Sequence, residues 1–398
     1  MKTHNLFSLL ILIFVFNSCS KNKLTESDVI ANYARLVSKS YLDSYTTALS
    51  MQSAINDFLE NPTEDGLKKA KEAWLVAREI YGQTEVYRET NSPIDVKMSG
   101  IAPWGIANEA QMNAWPIDEA YIDYVKAGTE EFAGDYRSII ADSTKTITQS
   151  LLVDLNEKVT DKSISTGWHT IEFLLWGQDN SSPKDNLPGN RAFTDYTTHI
   201  NAERRGQYLK IVTSLLVADL KSLADTWSKE GEYRIVFEKL DPKVALRQLV
   251  NGAFFMAGDE LSSERMIAPV DSTDGLEGSG QEDEHSCFSD NTHRDVYANA
   301  LGVNNVVFGN YDKISGVSFY DLVKQENETE AEKLKKAADD VMKKVTIIAN
   351  SKDHFDYLIT RESSSDSDFG PIMQAVVSLQ ALSDQISISA NSIGINLR

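Results

Sequence analysis

Apolar residues recur at three- and four-residue intervals along most of this chain, and that spacing commits it to helices. From Leu67 the pattern runs through Ala70, Trp74, Ala77 and Tyr81, one face of a 3.6-residue turn. Ile372, Val376, Leu379, Leu382 and Ile386 repeat it near the other end. Further long helices are expected at 28–59, 199–229, 242–265 and 328–349, and no segment alternates as a strand ladder would. Asn61-Pro62 divides the first two helices, because the residue before a proline is pushed out of helical conformation. Thr63 is placed to cap the second. The stretches 91–107, 177–190 and 268–281 carry the prolines and glycines of long loops, and long loops in helical domains are often functional. The expected fold class is all-α. A chain of 398 residues has room for two domains of roughly 150 residues or more, and Asp241-Pro242 marks a boundary near 240. The expected domains are therefore 28–240 and 241–398.

The N-terminus narrows the cellular setting. Lys2 precedes an apolar run from Leu6 to Phe16, followed by Asn17-Ser18-Cys19. A charged start, a short apolar core and a small residue make a secretory signal over 1–18. The run is shorter than the about 20 apolar residues a spanning helix needs. Its end resembles a relaxed bacterial lipobox, with Cys19 as the lipidation site and 19–27 as a polar tether. A plain signal peptide beside a bystander cysteine is the competing explanation. The expected location is a bacterial cell envelope, lipid-anchored in the outer membrane, facing the periplasm or the surface. With Cys19 lipidated, Cys287 has no intramolecular partner and the core must supply stability. The net charge of −20 argues against a nucleic-acid partner, since phosphate binding needs clustered Lys and Arg.

Three stretches carry the candidate chemistry. In Ser165-Thr166-Gly167-Trp168-His169-Thr170-Ile171-Glu172, Ser165 or Thr166 is placed to cap a short helix, and His169 and Glu172 stand one turn apart on one face. An imidazole and a carboxylate so arranged can share a metal ion, and helix bundles build sites from such pairs. A buried histidine bonded to its own glutamate explains the spacing equally simply. Gly167 permits another backbone or a ligand to come close. The second stretch, Gly258 to Met266, places Glu260 and Glu264 one turn apart, as it does Leu261 and Arg265; a solvated charged face is its plain explanation. The third, Gln281 to His293, sets three acids before His285 and is costly to crowd without compensating donors or cations. Asn291 or Thr292 would cap the helix that follows.

Taken together, these stretches resemble the imelysin family. Gly167-Trp168-His169-Thr170-Ile171-Glu172 matches its Gly-x-His-x-x-Glu motif, and Glu260–Met266 and Glu282–His293 resemble further imelysin segments in content and order. The resemblance implies two tightly coupled helical bundles with a site at their interface, an envelope location and a link to bacterial iron uptake. It also brings a metallopeptidase label.

That label finds little support in the residues. A helical zinc peptidase uses His-Glu-x-x-His or its inverse, and Phe173 stands where the inverse motif needs its second histidine. The preferred reading is a non-catalytic iron-uptake component that binds a metal ion or metal chelate. His169, Glu172 and Glu260 are its metal ligands, while Gly167, Arg265, Glu284 and His285 contact the ligand. Iron is the expected metal, with zinc second, and an iron transporter is a further candidate partner. A metal-dependent peptidase and a metal-free partner-binding scaffold remain as alternatives. A calcium loop at 270–281 fails, because aligning Gly275 with the loop glycine puts Val270 at the first carboxylate position.

Overall fold

The computed structural model describes residues 23–95, 109–127, 138–273, 280–366 and 369–397. The segment 1–18 and Cys19 lie outside them, as do parts of the loops expected at 91–107 and 268–281. The described residues are helical nearly throughout. Their strands are a two-residue antiparallel pair, Asn310–Tyr311 with Ile314–Ser315.

Helices α1 (Glu26–Glu60) and α2 (Glu64–Gly82) form an antiparallel pair broken where the sequence places the break. Thr25 caps α1 in a capping box with Asp28, and the Thr63 side chain accepts from the Gly66 N–H at the start of α2. Short helices α3 (Glu109–Asn113), α4 (Glu119–Ile122) and α5 (Gln149–Leu155) lead to α6 (Gly167–Trp176). The long α7 (Ala202–Thr226) and α8 (Glu232–Phe237) follow. Helices α1, α2, α6 and α7 pack on one another. Asp241 then caps α9 (Pro242–Phe255), with Pro242 in the first turn. Beyond it lie α10 (Ala268–Thr273), α11 (Thr292–Phe308), α12 (Phe319–Glu326), α13 (Glu328–Ala349), α14 (Phe355–Ile359) and α15 (Pro371–Ser392). Helices α9, α11, α13 and α15 pack together, while α1 meets α9 and α2 meets α11 across the two groups. One apolar core runs from Val29 to Leu397 without a break at the Asp241-Pro242 junction.

Two departures from the sequence expectation bear on the site. The helix expected over 242–265 leaves α geometry at Met256 and continues to Ile267 as a π-helix. Apolar periodicity cannot tell the two apart, and π segments often occur at functional sites. The loop expected over 268–281 begins with α10.

Close contact between α2 and α11 depends on small residues. A Cβ built on Gly302 would lie 2.6 Å from the Gln83 carbonyl oxygen, closer than any side-chain carbon can come. Gly206, inside α7, would meet only the end of Leu59 at 3.5 Å. Gly302→Ala is therefore expected to lower unfolding free energy by about 2 kcal/mol or more through forced separation of the helices. Gly206→Ala is expected to raise it by about 0.5–1 kcal/mol, as alanine does in helix interiors. Urea unfolding of both variants checks the pair, and an equal response in the two would contradict the contact.

Candidate functional site

Every residue of α6 is buried, so its polar groups need partners inside the protein. Gly167 opens the helix at φ +89°, and a Cβ there would sit 2.4 Å from the Met112 carbonyl oxygen. Its role is thus the contact with α3 rather than with a ligand. Neither expected cap forms. Ser165 Oγ donates to the Leu152 carbonyl and Thr166 Oγ1 to the Gln111 carbonyl, both at 2.7 Å, tying α6 to α5 and α3.

The centre of the polar interior is Arg78 of α2, wholly buried. Its Nε and Nη2 donate to Asp295 of α11 at 3.3 and 3.2 Å, and Nη1 donates to Asn113 of α3 at 2.5 Å. Nη2 also lies 3.5 Å from His169 Nε2 and 3.1–3.2 Å from the ring nitrogens of His285. The two imidazoles meet edge to face with centroids 4.8 Å apart. His169 Nδ1 is 2.9 Å from Glu172 Oε2, while Glu172 Oε1 accepts from the Ser289 N–H and hydroxyl at 2.9 and 2.6 Å. His285 Nδ1 pairs with Asp295 Oδ2 at 2.8 Å, and Ser286 Oγ donates to the same oxygen at 2.6 Å.

Arg78 decides the proton positions. A guanidinium only donates, so the imidazole nitrogen facing it must hold a lone pair. His169 is then a neutral ring that keeps its proton on Nδ1 and donates it to Glu172. Burial, and then the Arg78 charge, hold the His169 pKa well below the usual histidine range. Burial, followed by Arg265 and Arg78, does the same to His285. Burial raises Glu172 to about 8, although the Ser289 hydrogen bonds oppose it.

The network continues to a second set of charges. Glu85 accepts from Arg265 at 2.5 Å and from Asn113 at 2.9 Å. Arg265 and Arg88 both donate to Glu260 Oε1 at 2.7 Å. Arg265 and Glu260 are five residues apart, so it is the π-helical i→i+5 turn that joins them. An α-helical reading instead pairs Arg265 with Leu261. Burial would raise the Glu260 pKa, but Arg265 and Arg88 outweigh it and hold the carboxyl at about 2.

Trp115 divides the interior. The Arg265 guanidinium lies 5.1 Å from the centre of its ring, and His285 meets the ring edge-on at 4.4 Å. A cavity of about 10 Å³ touches His169, His285, Cys287 and Phe288, with Trp115 and Pro116 as a wall. The same two residues border a cleft of about 430 Å³ that exposes Arg88, Glu109, Glu260 and Glu264. A third cavity, of about 830 Å³, lies between Lys71, Trp176, Arg191 and the 177–190 loop expected from sequence, and none of the candidate metal or ligand residues lines it.

The structure thus brings together His169, Glu172 and His285, with Glu284 at the cavity's edge, and sets Glu260 and Arg265 elsewhere. Glu260 is not at the His169 cavity, because two guanidiniums hold it on the cleft side of Trp115. Arg265 does orient carboxylates, those of Glu85 and Glu260. Glu284 edges the small cavity, but its carboxylate bonds to none of these groups. Arg78, Glu85, Asn113, Trp115, Ser289 and Asp295 went unnoticed in the sequence. A signal existed for Arg78: it follows Trp74 by four residues on the apolar stripe, where an arginine needs a buried partner.

A buried His–Glu pair, clamped by an arginine where α2, α6 and α11 meet, defines the class of protein. The chain belongs to the imelysin family, whose model (imelysin, peptidase M75) matches residues 37–387. It is also similar to a crystal structure from Parabacteroides distasonis that carries the provisional name iron-regulated protein A precursor. The TM-score is 0.72 at 19% identity over 94% of this chain and 97% of that one, a likeness that shows the fold. No functionally curated protein matches the sequence.

The Glu260 geometry sets a pH dependence. A folded pKa of about 2 lies below the ordinary glutamate value of 4.5, so the group's stabilisation is complete above pH 4.5 and is lost as pH falls towards 2. The loss amounts to roughly 3 kcal/mol. Glu260→Gln is expected to be less stable than wild type at pH 7 and to lose less between pH 5 and pH 2. Parallel stability curves for the two proteins in urea would contradict the pairing.

Proposed function

We propose that this imelysin is a non-catalytic, lipid-anchored protein of a bacterial cell envelope that binds iron as cargo for uptake, at His169, Glu172 and His285. The observation that carries this reading is the cavity of about 10 Å³ beside the two neutral imidazoles, with Glu172 joined to it through the His169 Nδ1 hydrogen bond. Such a volume admits about one water-sized particle, so it suits a bare ion and has no room for an organic chelate or a peptide. His169 Nδ1 and Glu172 Oε2, 2.9 Å apart, share a proton that an ion would displace. Imidazole with carboxylate suits iron or zinc, and iron is preferred. The iron-regulated name of the Parabacteroides protein and the iron-uptake link of the family support that choice. The Cys19 anchor would keep the cargo at the membrane for a transporter partner. A peptidase is disfavoured because both Glu172 oxygens are engaged, by His169 and Ser289, leaving no free base for an attacking water.

One observation favours a second reading. The fixed charge of Arg78, 3.5 Å from His169 Nε2, opposes a second cation in the same space. A network that needs no ion would make the protein a partner-binding scaffold with Arg78 as its internal clamp. Anaerobic Fe²⁺ titration of the full chain, beside His169→Ala and Glu172→Gln, separates the readings. The uptake reading expects both variants to lose one equivalent of iron that the wild type binds. Unchanged iron binding together with a lowered melting temperature in both variants would favour the scaffold.

A further inference from the structure

Several buried acids of this protein are held by arginine. Asp123 bonds to Arg191 and Arg205, Asp295 to Arg78, and Glu85 and Glu260 to Arg265. Asp290, Asp356 and Glu284 have no such partner. They are 5%, 3% and 2% exposed, and among the described residues no Lys or Arg forms an ion pair with any of them. Asp290 Oδ1 and Asp356 Oδ1 make no hydrogen bond among the described residues, and Glu284 has no partner there beyond the Thr292 hydroxyl. Leaving so many buried carboxylate oxygens unpaired costs several kcal/mol, unless protons or a cation neutralise them.

The fold gathers these groups from separate segments. Asp290 and His293 flank the start of α11, while His354 and Asp356 flank the start of α14. The His354 N–H donates to Asn186 Oδ1 at 2.7 Å, which fixes α14 against the 177–190 loop. Ligand atoms of Asp290, His354 and Asp356 all lie within 4.8 Å of one another. His354 Nδ1 pairs with Asp290 Oδ2 at 2.8 Å, and Gln281 Nε2 donates to Asp356 Oδ2 at 3.3 Å, so each carboxylate keeps its second oxygen free. The His293 ring stacks on His354 at 5.8 Å. The His354 side chain is 30% exposed and gives a route from solvent.

We propose that Asp290, His354 and Asp356, none of which lines the His169 cavity, form a second cation site for a divalent first-row transition ion. The donor set decides the ion class. Carboxylates alone would suit calcium or magnesium, whereas added imidazole favours manganese, iron or zinc. Ligand bonds of about 2.0–2.2 Å span at most about 4.4 Å across the ion, so the cluster needs only a few tenths of an ångström of contraction. The burial that raises Asp290 to about 6 and Asp356 to about 7 is the penalty that such an ion would relieve.

The test is titration of the full chain, purified in detergent, with Mn²⁺ and separately with Zn²⁺, following bound ion and melting temperature. Asp356→Asn and His354→Ala are compared with wild type and with His169→Ala. Wild type and His169→Ala are expected to bind one equivalent at this site. Asp356→Asn and His354→Ala are expected to weaken it by at least roughly 100-fold and to abolish the ion-induced rise in melting temperature. Asp356→Asn removes an unpaired buried charge, so the ion-free variant is expected to melt no lower than wild type at pH 8. Binding left intact in both variants, or no binding of either ion by wild type, would overturn the proposal. Loss of binding in His169→Ala alone would assign the ion to the other cavity and also overturn it.

Discussion

A single guanidinium organises the interior. Arg78 is wholly buried, and its donors reach Asp295, Asn113 and the imidazoles of His169 and His285. These partners come from α11, α3, α6 and the acidic loop, so one side chain on α2 fixes how four other segments meet. Removing one partner of such a pair leaves an uncompensated buried charge, costing about 3–5 kcal/mol. The same charge adds to the burial that keeps both histidines neutral, and it fixes the proton of His169 on the side facing Glu172.

The helices were legible in the sequence because their apolar stripes face one continuous core. Leu67, Ala70, Trp74, Ala77 and Tyr81 are all buried on α2, and Ile372 through Ile386 repeat this on α15. The Thr63 cap was legible too, since a threonine after Asn61-Pro62 has few other uses. What could not be read was the change from α to π geometry after Phe255, because the apolar pattern continues through it. That change pairs Arg265 with Glu260 and takes Glu260 away from the histidine cavity.

The site was legible in part for a related reason. His169 and Glu172 are neighbours through local helix geometry, which spacing captures. The partners that decide their behaviour, Arg78 and Ser289, lie 91 residues before His169 and 117 after Glu172. No periodicity carries that information. The acidic run 282–284 stood out as costly to crowd, yet its resolution differs from residue to residue. His285, which follows it, joins Asp295, while Glu284 turns out among carboxylates that have no arginine at all.

The claim most in need of a direct test is that the small cavity beside the imidazoles accepts a bare ion against the field of Arg78. Anomalous diffraction at the iron edge, from crystals grown with Fe²⁺ under anaerobic conditions, addresses it without mutation. The account expects a peak within about 2.0–2.2 Å of a His169 nitrogen and a Glu172 oxygen, with Arg78 drawn towards Asp295. An undisturbed His169–Glu172 hydrogen bond, with no anomalous density in that cavity, would contradict it and leave the arginine hub as a structural clamp alone.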